Sequence, residues 1–142
     1  MLYEKKEWLR KLDRATEESD KADTTNAIRE VALSLVRQNG DARDSLARDD
    51  IVGVKQSCWY AAFDAIKLVF LLNHRFARND FWKEVFECPT RPSDFRQRLE
   101  ILQGFDPSSL EELVGSLENL CRELLEIVTS RGIRITSSQL KV

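Results

Sequence analysis

A chain of 142 residues is long enough for one domain with its own core and short for two. Apolar residues at 42% and charged residues at 32% exclude a disordered chain, and 22 Lys and Arg against 24 Asp and Glu leave a net charge of −2. That balance lacks the basic excess of a nucleic-acid binder, and the longest apolar stretch, Ala65 to Leu72, is broken by Lys67 and too short to cross a bilayer.

In chain order, Leu2 to Glu18 carries Trp8, Leu9, Leu12 and Ala15 among many charges and reads as a thin amphipathic helix. Thr24 or Thr25 is placed to cap a second helix whose stripe is Ile28, Val31, Ala32, Leu35 and Val36. Ala42 and Leu46 continue that stripe past Gly40, so the helix is expected to run to about Arg48. A mid-helix glycine costs only about 1 kcal/mol relative to alanine. The third helix spans about Asp50 to Arg75. Its apolar face, from Ile51 through Cys58, Ala61, Ala62 and Ala65 to Leu72, is wider than a surface helix needs, and Trp59, Tyr60 and Phe63 add rings beside it. Such a helix belongs at the centre of its neighbours.

Two short pieces follow. Asn79 or Asp80 can cap Phe81 to Glu87, which Pro89 and Pro92 end, and Ser93 can cap Asp94 to Gln103 before Gly104. The last long helix opens with Asp106 as a cap and Pro107 in the first turn. Ser108 or Ser109 with Glu111 or Glu112 forms a capping box. It carries the clearest 3.6-residue stripe, Leu110 to Val128, and stops at Gly132. The fold expected is all-α: an antiparallel, up-and-down four-helix bundle with short extra helices between the third and last long ones. Residues 1–132 form the single domain and 133–142 a C-terminal tail.

The chemistry is sparse. Cys58, Cys88 and Cys121 are odd in number and far apart, as expected of reduced thiols rather than a disulfide frame or zinc site. With no charged-then-apolar leader, a cytoplasmic protein is expected. One histidine, His74, cannot form a His cluster, and no glutamate precedes it by three residues as a bundle metal site needs. No phosphate-cradling glycine loop occurs. The end of the third helix stands out instead: Asn73, His74 and Arg75 follow an apolar run and precede Phe81-Trp82. Amides and cations there most simply suit a helix C-terminus; the functional alternative is a polar pocket rim beside rings. Asp64, one turn from Tyr60 in a mostly apolar helix, must be paired, exposed or aimed at a ligand. The candidate substrate-binding residues are therefore Tyr60, Asp64, Asn73, Arg75 and Trp82. No catalytic residue or metal ligand is assigned, although an Asp64 facing an acceptor could act as general base.

Ala47-Arg48-Asp49-Asp50, the Trp/Tyr/Ala-rich helix, and Phe70-Leu71-Leu72-Asn73-His74-Arg75-Phe76 resemble the C-terminal helical domain of nucleotidyltransferases related to kanamycin nucleotidyltransferase. Trp82-Lys83, the link bounded by Pro89 and Pro92, and Gly104-Phe105 before the last helix fit the same pattern, which covers Thr24 to Gly132. The resemblance implies a domain that packs on a catalytic half and completes the site for a small-molecule acceptor, with Asn73, Arg75 and Phe76 carried over. In that family the catalytic half bears a Gly-Ser turn and an Asp-x-Asp pair, which hold Mg and a nucleoside triphosphate. Here Gly115-Ser116 lies inside the last helix with no Asp-x-Asp after it, so both would belong to a partner domain or subunit. The bundle is also similar to HEPN proteins. Their catalytic Arg, four to six residues before a His, is replaced upstream of His74 by Leu68, Val69 and Phe70. The alternative is thus a non-catalytic HEPN-like interaction protein or toxin–antitoxin partner, and either reading admits a homodimer.

Overall fold

A computed structural model describes residues 2–75, 81–105 and 108–135, with side chains from Asp23 onward except those of Phe81 and Trp82. Every regular element in them is helical: α1 (Leu2–Ala47), α2 (Ile51–Leu72), α3 (Phe81–Glu84) running into a 3₁₀ turn (Val85–Glu87), α4 (Phe95–Leu102) and α5 (Leu110–Ser130). Four of them, α1, α2, α4 and α5, pack together as an all-α bundle.

The membership of the bundle differs from the sequence reading. The first two expected helices are one, because α1 passes through Thr24 and Thr25 without a cap. Nothing between Leu2 and Asn39 is a Gly or Pro, so no residue forces the backbone out of the helix. Gly40 is absorbed as expected, and α1 ends at Ala47. Near its C-terminal end α1 pairs with α2 through Ser34 and Asp64, and with α5 through Arg43 and Glu118. The Arg29 side chain donates to the Arg134 carbonyl at 3.1 Å, which sets α5 antiparallel to α1. Arg98 at the middle of α4 reaches Glu123 late in α5, so α4 supplies the remaining strut although it has only eight residues.

The joints follow from local chemistry. At the end of α1, the Asp49 amide donates to Leu46 and the Asp50 amide to Ser45, a Schellman closure with Asp49 left-handed at φ 54°. Asp50 then caps α2, its carboxylate accepting from the Gly53 amide at 3.0 Å. A turn this short makes α1 and α2 antiparallel neighbours. α2 ends at Leu72, three residues before the expected Arg75. The His74 amide bonds Leu71 and the Arg75 amide bonds Phe70, with His74 left-handed at φ 56°. α4 starts at Phe95 with Asp94 rather than Ser93 before it and no side-chain cap; the Ser93 amide and hydroxyl both donate to Glu123 on α5, at 3.0 and 3.4 Å. α5 is capped by Ser109, whose hydroxyl accepts from the Glu112 amide at 3.1 Å. Asn79, Asp80, Asp106 and Pro107, named above as caps or first-turn residues, lie outside the described residues.

The core sits around α2, which touches α1, α4, α5 and the 3₁₀ turn. Ala61, Ala62 and Ala65 are fully buried, and small side chains there let neighbouring backbones come close. Phe70, Leu35, Leu117 and Leu124 fill the centre. Fully burying each such side chain is worth about 1.5–3 kcal/mol. Past Gly132, Ile133 is buried against the same cluster.

Candidate functional site

The residues predicted from sequence do not share one pocket. Asp64 points at α1, where the Ser34 hydroxyl donates to its carboxylate at 2.7 Å. Burial pushes its carboxyl above the usual range, against the Ser34 hydrogen bond and the charge of Lys67. Asn73 is occupied by the fold: Nδ2 donates to the carbonyls of Val69 (2.7 Å) and Thr90 (2.6 Å), and the Thr90 amide donates back to Oδ1 (2.9 Å). Arg75 is exposed just past the end of α2. Tyr60 is exposed and its hydroxyl accepts from Gln56 at 3.4 Å. It faces a shallow polar groove of about 360 Å³ with Gln38, Asp41, Asp44 and Arg48. The side chain of Trp82, and all of Phe76, lie outside the described residues.

A different surface has the shape of a site. Trp59 and Phe63 from α2, Phe86 from the 3₁₀ turn, Leu99 from α4 and Phe105 after it wall a cleft of about 790 Å³. That volume lies in the range of small-molecule pockets, roughly 300–1,000 Å³. Trp59 and Phe63 meet edge to face at 5.7 Å. Phe86 is held the same way by Phe95, at 6.2 Å. Four charged side chains line the cleft as well: Lys83, Glu87, Arg96 and Glu100. The Arg96 guanidinium lies 5.7 Å from the centre of the Phe86 ring and 3.4 Å from Glu100. Trp59 also borders a second hollow of about 330 Å³ toward Leu110 and Leu113.

The fold supports this wall from behind. The stretch from Cys88 to Asp94 connects the 3₁₀ turn to α4, and both α2 and α5 grip it. Asn73 holds Thr90 from one side. Arg131 donates to the Thr90 hydroxyl at 3.2 Å, and Glu123 accepts from Ser93 and Arg98. Asn73 thus fixes the position of the cleft without touching it.

Sequence reasoning named Trp59 and Phe63 as rings beside the core and Phe105 as part of the link before the last helix, but put none of them, nor Phe86 or Arg96, among the candidate substrate-binding residues. One signal was available: Trp59 and Phe63 are four residues apart, a single turn of one face. Another was Phe105, which follows the helix-ending Gly104, where an apolar residue usually folds back on its helix; here it is 71% exposed.

Reactive groups are not gathered anywhere in the described residues. No three His, Cys, Asp or Glu side chains converge there as around a metal ion. The three thiols are free and buried. Burial pushes Cys58 and Cys121 up to about 11, away from the thiolate a nucleophile needs. No described helix is long and apolar enough to cross a membrane. No family model, no curated protein and no solved structure matches the chain.

Proposed function

We propose that this chain is a substrate-positioning helical domain or subunit of a nucleotidyltransferase, and that the cleft between α2, the 3₁₀ turn and α4 is its part of the acceptor site. The cleft carries the reading: a ring-walled hollow of small-molecule size with ionic groups in its lining. The resemblance at Leu72-Asn73-x-Arg75-Phe76 supports it from the sequence. Mg and the nucleoside triphosphate would sit on the catalytic half, with its Gly-Ser turn and Asp-x-Asp pair. This chain would contribute by holding the acceptor in line for attack, a proximity effect on rate. A cytoplasmic location follows from that role, since the nucleotide is supplied there. Under this reading Trp59, Phe63, Phe86 and Phe105 replace Asp64 and Asn73 as the contacts to test.

The test is co-purification of the tagged chain from its native cells, followed by assay of the complex. A stoichiometric partner, or an upstream extension of this same chain, that bears Gly-Ser and Asp-x-Asp is expected. The complex should transfer a nucleotidyl group from Mg–nucleoside triphosphate to a hydroxyl or amine acceptor. Recovery of the chain only with itself, or a partner complex without transfer, overturns the proposal.

A further inference from the structure

We infer that the cleft selects a flat, apolar ring carrying a single positive charge, rather than a carboxylate or a hydroxyl-rich molecule. This rests on reading the cleft as an acceptor site and adds the chemical class of what enters it.

The charges alone do not decide the matter. Lys83 and Arg96 are balanced by Glu87 and Glu100, so simple Coulomb attraction favours neither sign. The rings break the tie. Four aromatic side chains line the cleft, and the face of an aromatic ring, where it meets a ligand, attracts cations and repels anions. The fold already contains such a contact. Arg96 rests against Phe86, with Glu100 beside it, so one cation is already accommodated by a ring and a carboxylate in this wall. A ligand ammonium beside Trp59 or Phe105, balanced by Glu87, repeats that arrangement. Glu87 has no ion-pair partner among the described residues. The rings and Leu99 make most of the lining apolar, so a hydroxyl-rich molecule would bury more polar groups than Gln103 and the four charged side chains can pair, and desolvating the rest is costly. A planar ring can stack on or abut the aromatic lining, which a puckered polyol cannot.

Arg96 also makes the inference sharp, because it competes with the ligand. It occupies the Phe86 ring and neutralises Glu100, so its removal frees one aromatic surface and one carboxylate together. In a merely greasy cleft the same change would have no such sign.

The experiment is isothermal titration of the full chain with four probes: 1-naphthylmethylamine, 1-naphthylacetate, 1-naphthylmethanol and glucosamine. The expected result is saturable binding of the naphthyl amine, at least about tenfold tighter than the other three. Arg96→Gln should tighten the amine several-fold, and Trp59→Leu should weaken it, with circular dichroism unchanged because Trp59 is 41% exposed. Equal affinities for the naphthyl amine and acid, preference for glucosamine, or no amine binding up to millimolar concentration overturns the inference. These titrations need no catalytic partner. Amine selectivity without a transferase partner therefore leaves this inference standing and removes the proposed function, whereas an active complex that ignores the charge does the reverse.

Discussion

The Asn73 side chain and the Thr90 backbone pair in both directions, amide to carbonyl at 2.6 Å and amide to oxygen at 2.9 Å. One side chain thereby acts as a short piece of β-ladder between the end of α2 and the link to α4. Asn73→Ala removes these bonds and the one to Val69, and leaves half-buried backbone groups to find water. The expected loss is about 2 kcal/mol. Urea denaturation should show it as a lower midpoint with little change in slope. Asn73→Asp should cost more, since it sets an anion against two carbonyl oxygens.

His74 holds a left-handed backbone at φ 56°, where glycine is at ease and other residues are strained. Its amide closes α2, but its side chain is exposed and makes no hydrogen bond with a described residue. His74→Gly is therefore expected to raise stability by about 1 kcal/mol, and His74→Val to lower it. Thermal unfolding of the two variants checks both signs. If His74 were instead part of a stand-alone active site, His74→Gly would abolish an activity of the isolated chain.

The three glycines inside helices separate by what a methyl group would meet. At Gly40 and Gly115 an added Cβ has nothing within 4 Å. Alanine there should gain about 0.5–1 kcal/mol by restricting the unfolded chain and favouring the helix. At Gly53 the same atom would lie 2.5 Å from Asp50 Oδ2 and 2.5 Å from Ser45 Oγ, displacing the carboxylate that caps α2. Loss of a cap costs about 1 kcal/mol, which cancels the propensity gain. The melting temperature should rise for Gly40→Ala and Gly115→Ala and stay level or fall for Gly53→Ala.

These positions show where the sequence was informative. Periodicity located the faces of α2 and α5, because burying a stripe at 3.6-residue spacing is what makes such helices stable. A cap was legible where the side chain bonds its own helix, as at Ser109, whereas Asp50 was read only as the start of α2. Caps were misleading where the residue had a distant partner: the Ser93 amide and hydroxyl both donate to Glu123, 30 positions away. Thr24 and Thr25 misled for another reason, since a good capping residue does not end a helix when nothing upstream breaks it. Asp64 and Asn73 attracted attention as polar groups in apolar surroundings. Their partners, Ser34 and Thr90, are 30 and 17 residues away and carry no local signal. The cleft was hidden for the same reason, being assembled from α2, the 3₁₀ turn and α4 by a link that local pattern does not place.

Two partly buried carboxylates should give opposite pH signatures. Burial raises the Asp64 carboxyl above its ordinary range, against Ser34 and Lys67. The fold therefore prefers the protonated form, and that preference is fully present below the unfolded-state value. It is lost as pH rises through the folded-state value. Asp64→Asn keeps an acceptor for the Ser34 hydroxyl and removes the charge, so it should gain stability near pH 7, by less than about 1 kcal/mol, and gain nothing near pH 3. Glu123 behaves the other way. Burial pushes it up, but the hydrogen bonds from Arg98 and Ser93 and the Arg98 charge outweigh that and hold it below the ordinary range. Its contribution is present above the unfolded-state value and disappears as pH falls through the folded-state value. Glu123→Gln keeps one acceptor oxygen for Ser93 but loses the charge and the second oxygen that hold Arg98, so it should cost about 0.5–1 kcal/mol near pH 7, and the deficit should narrow on acidification. Urea titrations of both variants and the parent at the two pH values measure the slopes directly. Slopes of the same sign would mean that Ser34 and Arg98 do not hold these carboxylates in solution.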